Sequence, residues 1–387
     1  MSEPLATYLL LSLPESAATY SSALSEWLSK HVNGGRVDVV PFEVPSFKVG
    51  TLDSLVQQSE ELSKYDNQLS GSIGKILDII TSIFDGNEAA ARSAKVVDGK
   101  PILSYVEKFK WNTSKYRLDK PIKDLIETIT TEAVNLDNDV RSAYTSYNTA
   151  KSNLVAAQRK KTGDLSVRSL HDIVKESDFV LGSEHLVTLL VAVPKSLEST
   201  FLEKYETLTE FVVPRSASVI ASDGEFVLYN VTLFKKFAPA FVAAAREQKW
   251  TPREFDYSEE TISSMKDEFT TASHAEQTLR NDLIRLTKAA YSEIVQSSFH
   301  IKALRTFVES VLRYGLPPNF YSFLLNLPEK AIAKSKEELI AKYGYLGGNA
   351  FSTDKKGRVL KDSSLHEYAS LVDTEYEPFV LYEVKVI

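Results

Sequence analysis

Residues 122–157 read IKDLIETITTEAVNLDNDVRSAYTSYNTAKSNLVAA. Ile122, Ile126, Ile129, Ala133, Leu136, Val140, Ala143, Tyr147, Ala150, Leu154 and Ala157 follow one another in alternating steps of four and three. Every one of them is apolar or aromatic, and most of the residues between them are Asp, Glu, Lys, Asn, Ser or Thr. A narrow seam kept up over about five heptads, with no Gly or Pro, is the pattern of a long helix. At 1.5 Å per residue it would extend about 55 Å, more than a compact domain needs. A stripe on one side only requires a partner.

The stretch from Ser258 to Tyr314 supplies one. It also lacks Gly and Pro, and Ile262, Met265, Phe269, Ala272, Glu276, Leu279, Leu283, Leu286 and Ala290 keep the same spacing, with Glu276 the charged exception. After Ala290 the phase slips and resumes at Ile294, Ser297, Ile301, Leu304, Val308 and Val311. Such a slip rotates the buried stripe, as expected where a helix leaves its partner and begins to face a globular core. Glu259 and Glu260 at the start, Arg313 at the end, and Gly315 and Pro317-Pro318 beyond it suit the helix dipole and the stop signals.

Two long helices separated by about 95 residues imply an antiparallel pair with a small inserted domain at one end. The expected fold class is α+β: an elongated dumbbell with an α/β head, a neck of two long antiparallel helices, and a mixed α/β foot formed by both chain ends. The boundaries fall at 1–121 and 294–387 for the foot, 122–163 and 258–293 for the neck, and 164–257 for the head. An ordinary large helical bundle and a dimeric coiled coil are the alternatives that the pattern leaves open.

A chain of 387 residues can hold two modest cores. Its net charge of −7 lacks the basic footprint of a nucleic-acid binder. The absence of Cys excludes disulfides, thiolate metal sites and cysteine catalysis, and fits a reducing compartment. No apolar run approaches the ~18 residues that span a bilayer. Leu9, Leu10, Leu11 and Leu13 follow Glu3 without a basic region or cleavage site, so they read as a short strand and not as a signal peptide. The sequons at Asn112 and Asn230 are therefore read as chance.

In chain order, strands are expected at Thr7–Leu13 and Arg36–Val40 with a helix at Ala18–His31 between them. A polar-acidic helix start at Leu52–Leu62 and a strongly apolar helix at Asn67–Phe84 follow, then a mobile loop over 85–100. Tyr105–Tyr116 carries Val106, Phe109 and Trp111 toward the long helix, which closes on Arg159-Lys160-Lys161-Thr162-Gly163. The three basic residues suit a helix C-terminus and need no acidic partner. In the insert the expected order is strand (Leu186–Val193), helix (Ser196–Leu208), strand (Phe211–Ile220), strand (Glu225–Phe234) and helix (Pro239–Gln248), a small α/β module. Asp223-Gly224 marks a turn, and Pro214 makes the second strand an edge or a bulge. After Tyr314 come a strand at Phe320–Leu327, a helix at Lys334–Tyr343 ended by Gly344, a turn at Gly347-Gly348-Asn349, a charged loop at Asp354–Arg358 and a last strand at Phe379–Ile387. That last strand is ordered only if paired, and the N-terminal strands are its natural partners.

No catalytic constellation emerges. Gly71-Ser72-Ile73-Gly74-Lys75 has the wrong spacing for a phosphate loop, Ile76 stands where Ser or Thr is needed, and the pattern is helical. Small residues for close helix packing explain it better. It is nevertheless the best support for the alternative function, a nucleotide-dependent enzyme or regulatory nucleotide-binding protein with a site at a domain junction. Gly344–Gly348 lacks a strand-then-helix frame. His31, His171, His185, His274, His300 and His366 stand singly and read as packing or surface. Asp373, Glu375 and Glu377 could bind a metal, but a solvated face is the simpler reading. Catalytic, cofactor-binding and metal residues are therefore expected to be none.

Several longer motifs are specific. Lys48–Leu55 (KVGTLDSL), Ser59–Leu62 (SEEL), Lys161–Leu170 (KTGDLSVRSL), Phe307–Pro318 (FVESVLRYGLPP) and Leu365–Asp373 (LHEYASLVD) together resemble the C subunit of the vacuolar-type proton-translocating ATPase (V-ATPase), in its fungal form. The likeness runs through essentially the whole chain. It implies a head, a helical neck and a foot placed in the pump's peripheral stator, on the cytosolic face of the vacuolar membrane. The head is expected to bind one stalk made of the E and G subunits. The foot is expected to bind another such stalk and the soluble N-terminal domain of the pump's membrane-bound a subunit. The resemblance further implies release on reversible disassembly, possible actin binding, no nucleic acid, no membrane insertion, no cofactor and no catalysis by this chain. Partner-binding residues are unknown from it.

Overall fold

The computed structural model describes residues 5–85, 87–351 and 377–386. The charged loop expected at 354–358, the motif at 365–373, His366, Asp373 and Glu375 lie outside the described residues. The class is α+β, and the chain divides into two compact units: Met1–Ser142 with Leu283–Ile387, and Ala143–Asp282.

The first unit begins with β1 (Ala6–Pro14), followed by α1 (Ser21–His31) and β2 (Asp38–Pro41). The helix start expected at 52–62 and the helix expected at 67–84 are one continuous helix, α2 (Leu52–Ile83), opened by the Thr51 hydroxyl, which accepts from the Ser54 N–H at 3.3 Å. Nothing between Leu62 and Asn67 breaks a helix, and Asp66 there is buried on the same side as Leu62 and Leu69. The loop expected over 85–100 also contains structure. Asn87 caps α3 (Glu88–Ala94), and Ala91 and Ala94 are buried. The short strands β3 (Val96–Val97) and β4 (Lys100–Pro101) pair around Asp98-Gly99, both at positive φ, as a two-residue hairpin turn requires. Then come α4 (Ile102–Glu107) and the first long helix, α5 (Ile122–Thr162). All eleven seam positions of α5 are buried or half-buried. Leu125, Thr130 and Asp137 are buried as well, so the stripe is wider in its first half.

The second unit holds the rest of α5, β5 (Leu186–Pro194), α6 (Glu198–Lys204), β6 (Ser218–Ser222), β7 (Phe226–Phe234), α7 (Ala238–Glu247) and β8 (Thr251–Arg253). Its sheet is antiparallel in the order β6-β7-β5-β8. The strand expected from Phe211 begins only at Ser218. Pro214 and Arg215 form a turn before it, and Val212 makes a lone bridge to Leu233. One sheet face packs Val191, Val193 and Val231 on Phe201, Phe241 and Trp250, and the other packs Leu190, Ala192 and Leu228 on Leu165 and Leu170. Within this unit Lys160 meets Glu268 at 2.5 Å while Tyr147, earlier in α5, lies beside Glu276, later in the helix that follows β8, so the two segments run antiparallel.

That helix is α8 (Glu259–Tyr314), and its part from Leu283 onward belongs to the first unit. Beyond Ala290 its stripe does not merely rotate. Tyr291, Ile294, Val295, Ser297–Leu304 and Thr306–Val308 are buried around most of the circumference. Then follow β9 (Phe320–Leu327), α9 (Ile332–Tyr343) and β10 (Val380–Val386). Gly344 keeps a helical backbone (φ −57), so the chain continues as a 3-10 helix to Phe351 where a turn at 347–349 was expected. The first unit's sheet is antiparallel in the order β10-β1-β9-β2. The last strand pairs with the first, Leu10 opposite Tyr382. β1 is buried on both faces, which is why it reads as a continuous apolar run. Leu9, Leu11 and Leu13 pack with Leu24 and Leu28 of α1 and Leu339 of α9, while Ser12 on the other face bonds Ser310 of α8 at 2.8 Å.

Candidate functional site

The features that could have signalled chemistry are dispersed. Gly71–Lys75 lies inside α2 with Lys75 exposed, and a Cβ at Gly71 or Gly74 would meet nothing within 4 Å. The expected close helix packing is absent there, and a helix interior offers no free N–H groups to cradle a phosphate. Gly344–Gly348 is part of the 3-10 helix after α9. His31 stacks on Trp27, His171 bonds Ser169, and His185 and His274 are exposed. Among the described residues no three His, Cys, Asp or Glu side chains converge as metal ligands. Glu377, half-buried, accepts a bond from Arg313 through its main-chain carbonyl. Both sequon asparagines are engaged: the Asn112 side chain accepts from the Lys115 N–H and the Asn230 amide donates to the Asp178 carbonyl.

What the first unit does assemble is a buried polar spine along α8. Lys302, Arg305, Glu309 and Arg313 follow one another at steps of three and four, so they share one side of the helix. α2 runs against them in the opposite sense. Asp66 accepts from both Lys302 and Arg305, the latter at 2.9 Å, while Ser63 accepts from Arg305 and Ser59 donates to Glu309. The Arg305 guanidinium lies 4.1 Å from the Tyr382 ring of β10. Burial, aided by the Glu309 carboxylate, pushes the Tyr382 phenol well above its ordinary pKa. Tyr314 donates to the Ser12 carbonyl at 2.7 Å and accepts from the Val380 N–H at 3.1 Å. One helix thus fastens α2, β1 and β10. Two cations on one buried carboxylate make Asp66 expensive to remove, about 3–5 kcal/mol for an uncompensated buried charge.

A second polar centre surrounds His300. Its ring packs on Phe109, Trp111 and Tyr116 at 4.9–5.2 Å. Nδ1 donates to the Gln296 carbonyl at 2.7 Å and Nε2 accepts from the Asn112 N–H at 3.1 Å. Burial holds its pKa down at about 4, so the ring is neutral and structural. Beside it Lys115 bridges Glu132 of α5 and Glu293 of α8.

In the second unit the Lys161–Leu170 motif turns off α5. A Cβ on Gly163 would lie 2.6 Å from the Arg159 carbonyl, so only glycine fits. Arg253 of β8 donates to the carbonyls of Leu165 (2.5 Å) and Arg168 (2.6 Å). Asp223 accepts from the N–H groups of Leu165, Glu225 and Phe226. Its burial acts to raise the carboxyl pKa, but the three donors outweigh that and hold it below the usual range. None of these groups presents a nucleophile, a metal site or a substrate cleft. They anchor the motif.

Residues 8–380 match the family described as the C subunit of V-ATPase. The C subunit of the V-type proton ATPase of Saccharomyces cerevisiae is 55% identical over 383 residues, 98% of this chain and 97% of its own. The C 1 subunit of the V-type proton ATPase of Mus musculus is 39% identical over 89% of this chain and 88% of its own. That of Bos taurus is 38% identical over the same shares. A solved cytoplasmic N-terminal domain of the V-ATPase I subunit, a homolog of the a subunit, aligns at TM-score 0.34 and 13% identity over 87% of this chain and 97% of that one, too weak a likeness to bear on fold.

Proposed function

This chain belongs to the V-ATPase C-subunit family, and on that premise we propose that it is a linker that carries mechanical load in the pump's peripheral stator. Membership makes it a non-catalytic, peripheral subunit of a proton-transporting complex. Among the described residues no helix is long and apolar enough to cross a membrane. The finer reading is that residues 164–257 act as a head that holds one stalk of the E and G subunits. Residues 1–121 and 294–387 act as a foot that holds a second stalk and the N-terminal domain of the a subunit. Residues 122–163 and 258–293 join them as the neck. In this reading the chain works on the cytosolic face of the vacuolar membrane and leaves when the pump reversibly disassembles. Binding to actin is proposed on family resemblance alone.

One observation supports the mechanical part most directly. The chain passes between its two units twice, at Ser142–Ala143 and at Asp282–Leu283, and both passages lie inside uninterrupted helices without Gly or Pro. Helical connections resist torque in a way that loops do not. Leu136 is a half-buried seam position on the first-unit side of α5. Leu136→Pro removes a ladder hydrogen bond and clashes with the preceding turn, at ~3 kcal/mol or more. In cells lacking their own copy of this subunit, the wild-type chain should restore ATP-driven proton pumping and co-purify with E and G, and Leu136→Pro should abolish pumping. Normal pumping by the proline variant would rule out the mechanical role.

A further inference from the structure

The second unit carries three aromatic rings together at its surface. Phe211 is 59% exposed and Phe234 40%, and Phe237 is half-buried against the sheet core. The Phe211 ring stacks on Phe237 at 5.0 Å and meets Phe234 edge-on at 5.7 Å. With Glu184, His185, Lys235 and Lys236 they line an open hollow of about 440 Å³.

Its walls are held by the main chain. The Phe234 N–H donates to the Phe211 carbonyl at 3.2 Å, the Lys235 N–H to the His185 carbonyl at 2.8 Å, and Val212 bridges Leu233. The rings are thus carried on main chain that is tied to the sheet. Phe211 also sits at φ +59, the left-handed region that bulky residues avoid. The chain thus holds a large apolar ring 59% exposed on an unfavourable backbone, and such outliers cluster at binding sites. The rim carries two exposed lysines against one glutamate, on a chain whose net charge is −7. An apolar floor with a cationic rim is complementary to an amphipathic helix whose apolar side chains are flanked by carboxylates.

We propose that the Phe211–Phe234–Phe237 hollow is the anchor point on this unit for an acidic-flanked apolar stripe on a helix of the peripheral stalk. The inference rests on the stator reading above, and it names the surface and the recognition chemistry. Purified E–G heterodimer, titrated calorimetrically into the full chain, tests it. Phe211→Asn removes the ring while suiting the left-handed backbone, and circular dichroism should show an unchanged fold. It should weaken binding at least about tenfold, as loss of a buried aromatic anchor does. Lys236→Glu should weaken binding as well and reduce its salt dependence. Wild-type binding that neither variant alters would overturn the anchor and leave the stator reading standing. No wild-type binding to E–G would overturn the stator reading itself. Self-association of the wild-type chain in sedimentation, lost in Phe211→Asn, would overturn the proposal by giving the hollow to a second copy of the chain.

Discussion

His300 is held neutral by its surroundings. Burial among Phe109, Trp111 and Tyr116 is the dominant cause, and Lys115 adds to it, while the Gln296 carbonyl and Glu293 act the other way. The folded-state pKa of about 4 lies below the ordinary 6.5, so between those values the unfolded chain binds a proton that the folded chain does not. Stability therefore falls as pH drops from about 6.5 toward 4, by roughly 3 kcal/mol at most from this one group. His300→Gln can keep an acceptor for the Asn112 N–H and cannot titrate. Its stability deficit against wild type, from urea unfolding, should shrink steadily as pH falls through that window. A deficit independent of pH would mean that His300 titrates normally. The Asp66 spine was not legible at this scale. A charge run on an amphipathic helix ordinarily marks a solvated face, and only the fold shows that Lys302, Arg305 and Asp66 face each other.

Elements with a long period were legible, and short ones were not. The seam of α5 and the first part of α8 could be read because many residues repeat the same spacing, so a single exception such as Glu276 does not hide it. β1, β5, β7 and β9 were legible because buried strands leave dense apolar runs. Seven-residue α3 and three-residue β8, with Pro252 inside, are too short to show a period. α2 was divided because its polar middle interrupts the apolar pattern while the backbone runs on. Gly71 and Gly74 make that helix testable. Both lie within α2 with open space where a Cβ would go. In a helix interior Ala is favoured over Gly by about 0.8–1 kcal/mol. Gly71→Ala and Gly74→Ala should each raise the unfolding free energy by about that much, measured by urea titration. A loop built to receive phosphate would be damaged by the same changes.

At the scale of the whole molecule, the two units have separate cores. The first includes the cluster of β1, α1, β9 and α9 with Phe379 and the buried residues of α2, α5 and α8, and the second is built from the strands and helices between Leu165 and Ile262. Sequence reasoning could place two sheets in one chain because the insert changes texture after Gly163. It could not find Phe211 as an outlier, since a lone phenylalanine beside Val212 and Val213 reads as part of a strand. Separate cores imply separate unfolding, with α5 and α8 as the elements common to both. Phe201 is fully buried in the second unit against Tyr205, Tyr229 and Trp250. Phe201→Ala should cost about 3–5 kcal/mol through lost burial and the cavity it leaves. Scanning calorimetry of the full chain should resolve two transitions, and this substitution should lower one and leave the other in place. A single transition that moves as a whole would show that the shared helices couple the units into one cooperative body. In that case the helical passages would carry folding energy as well as load.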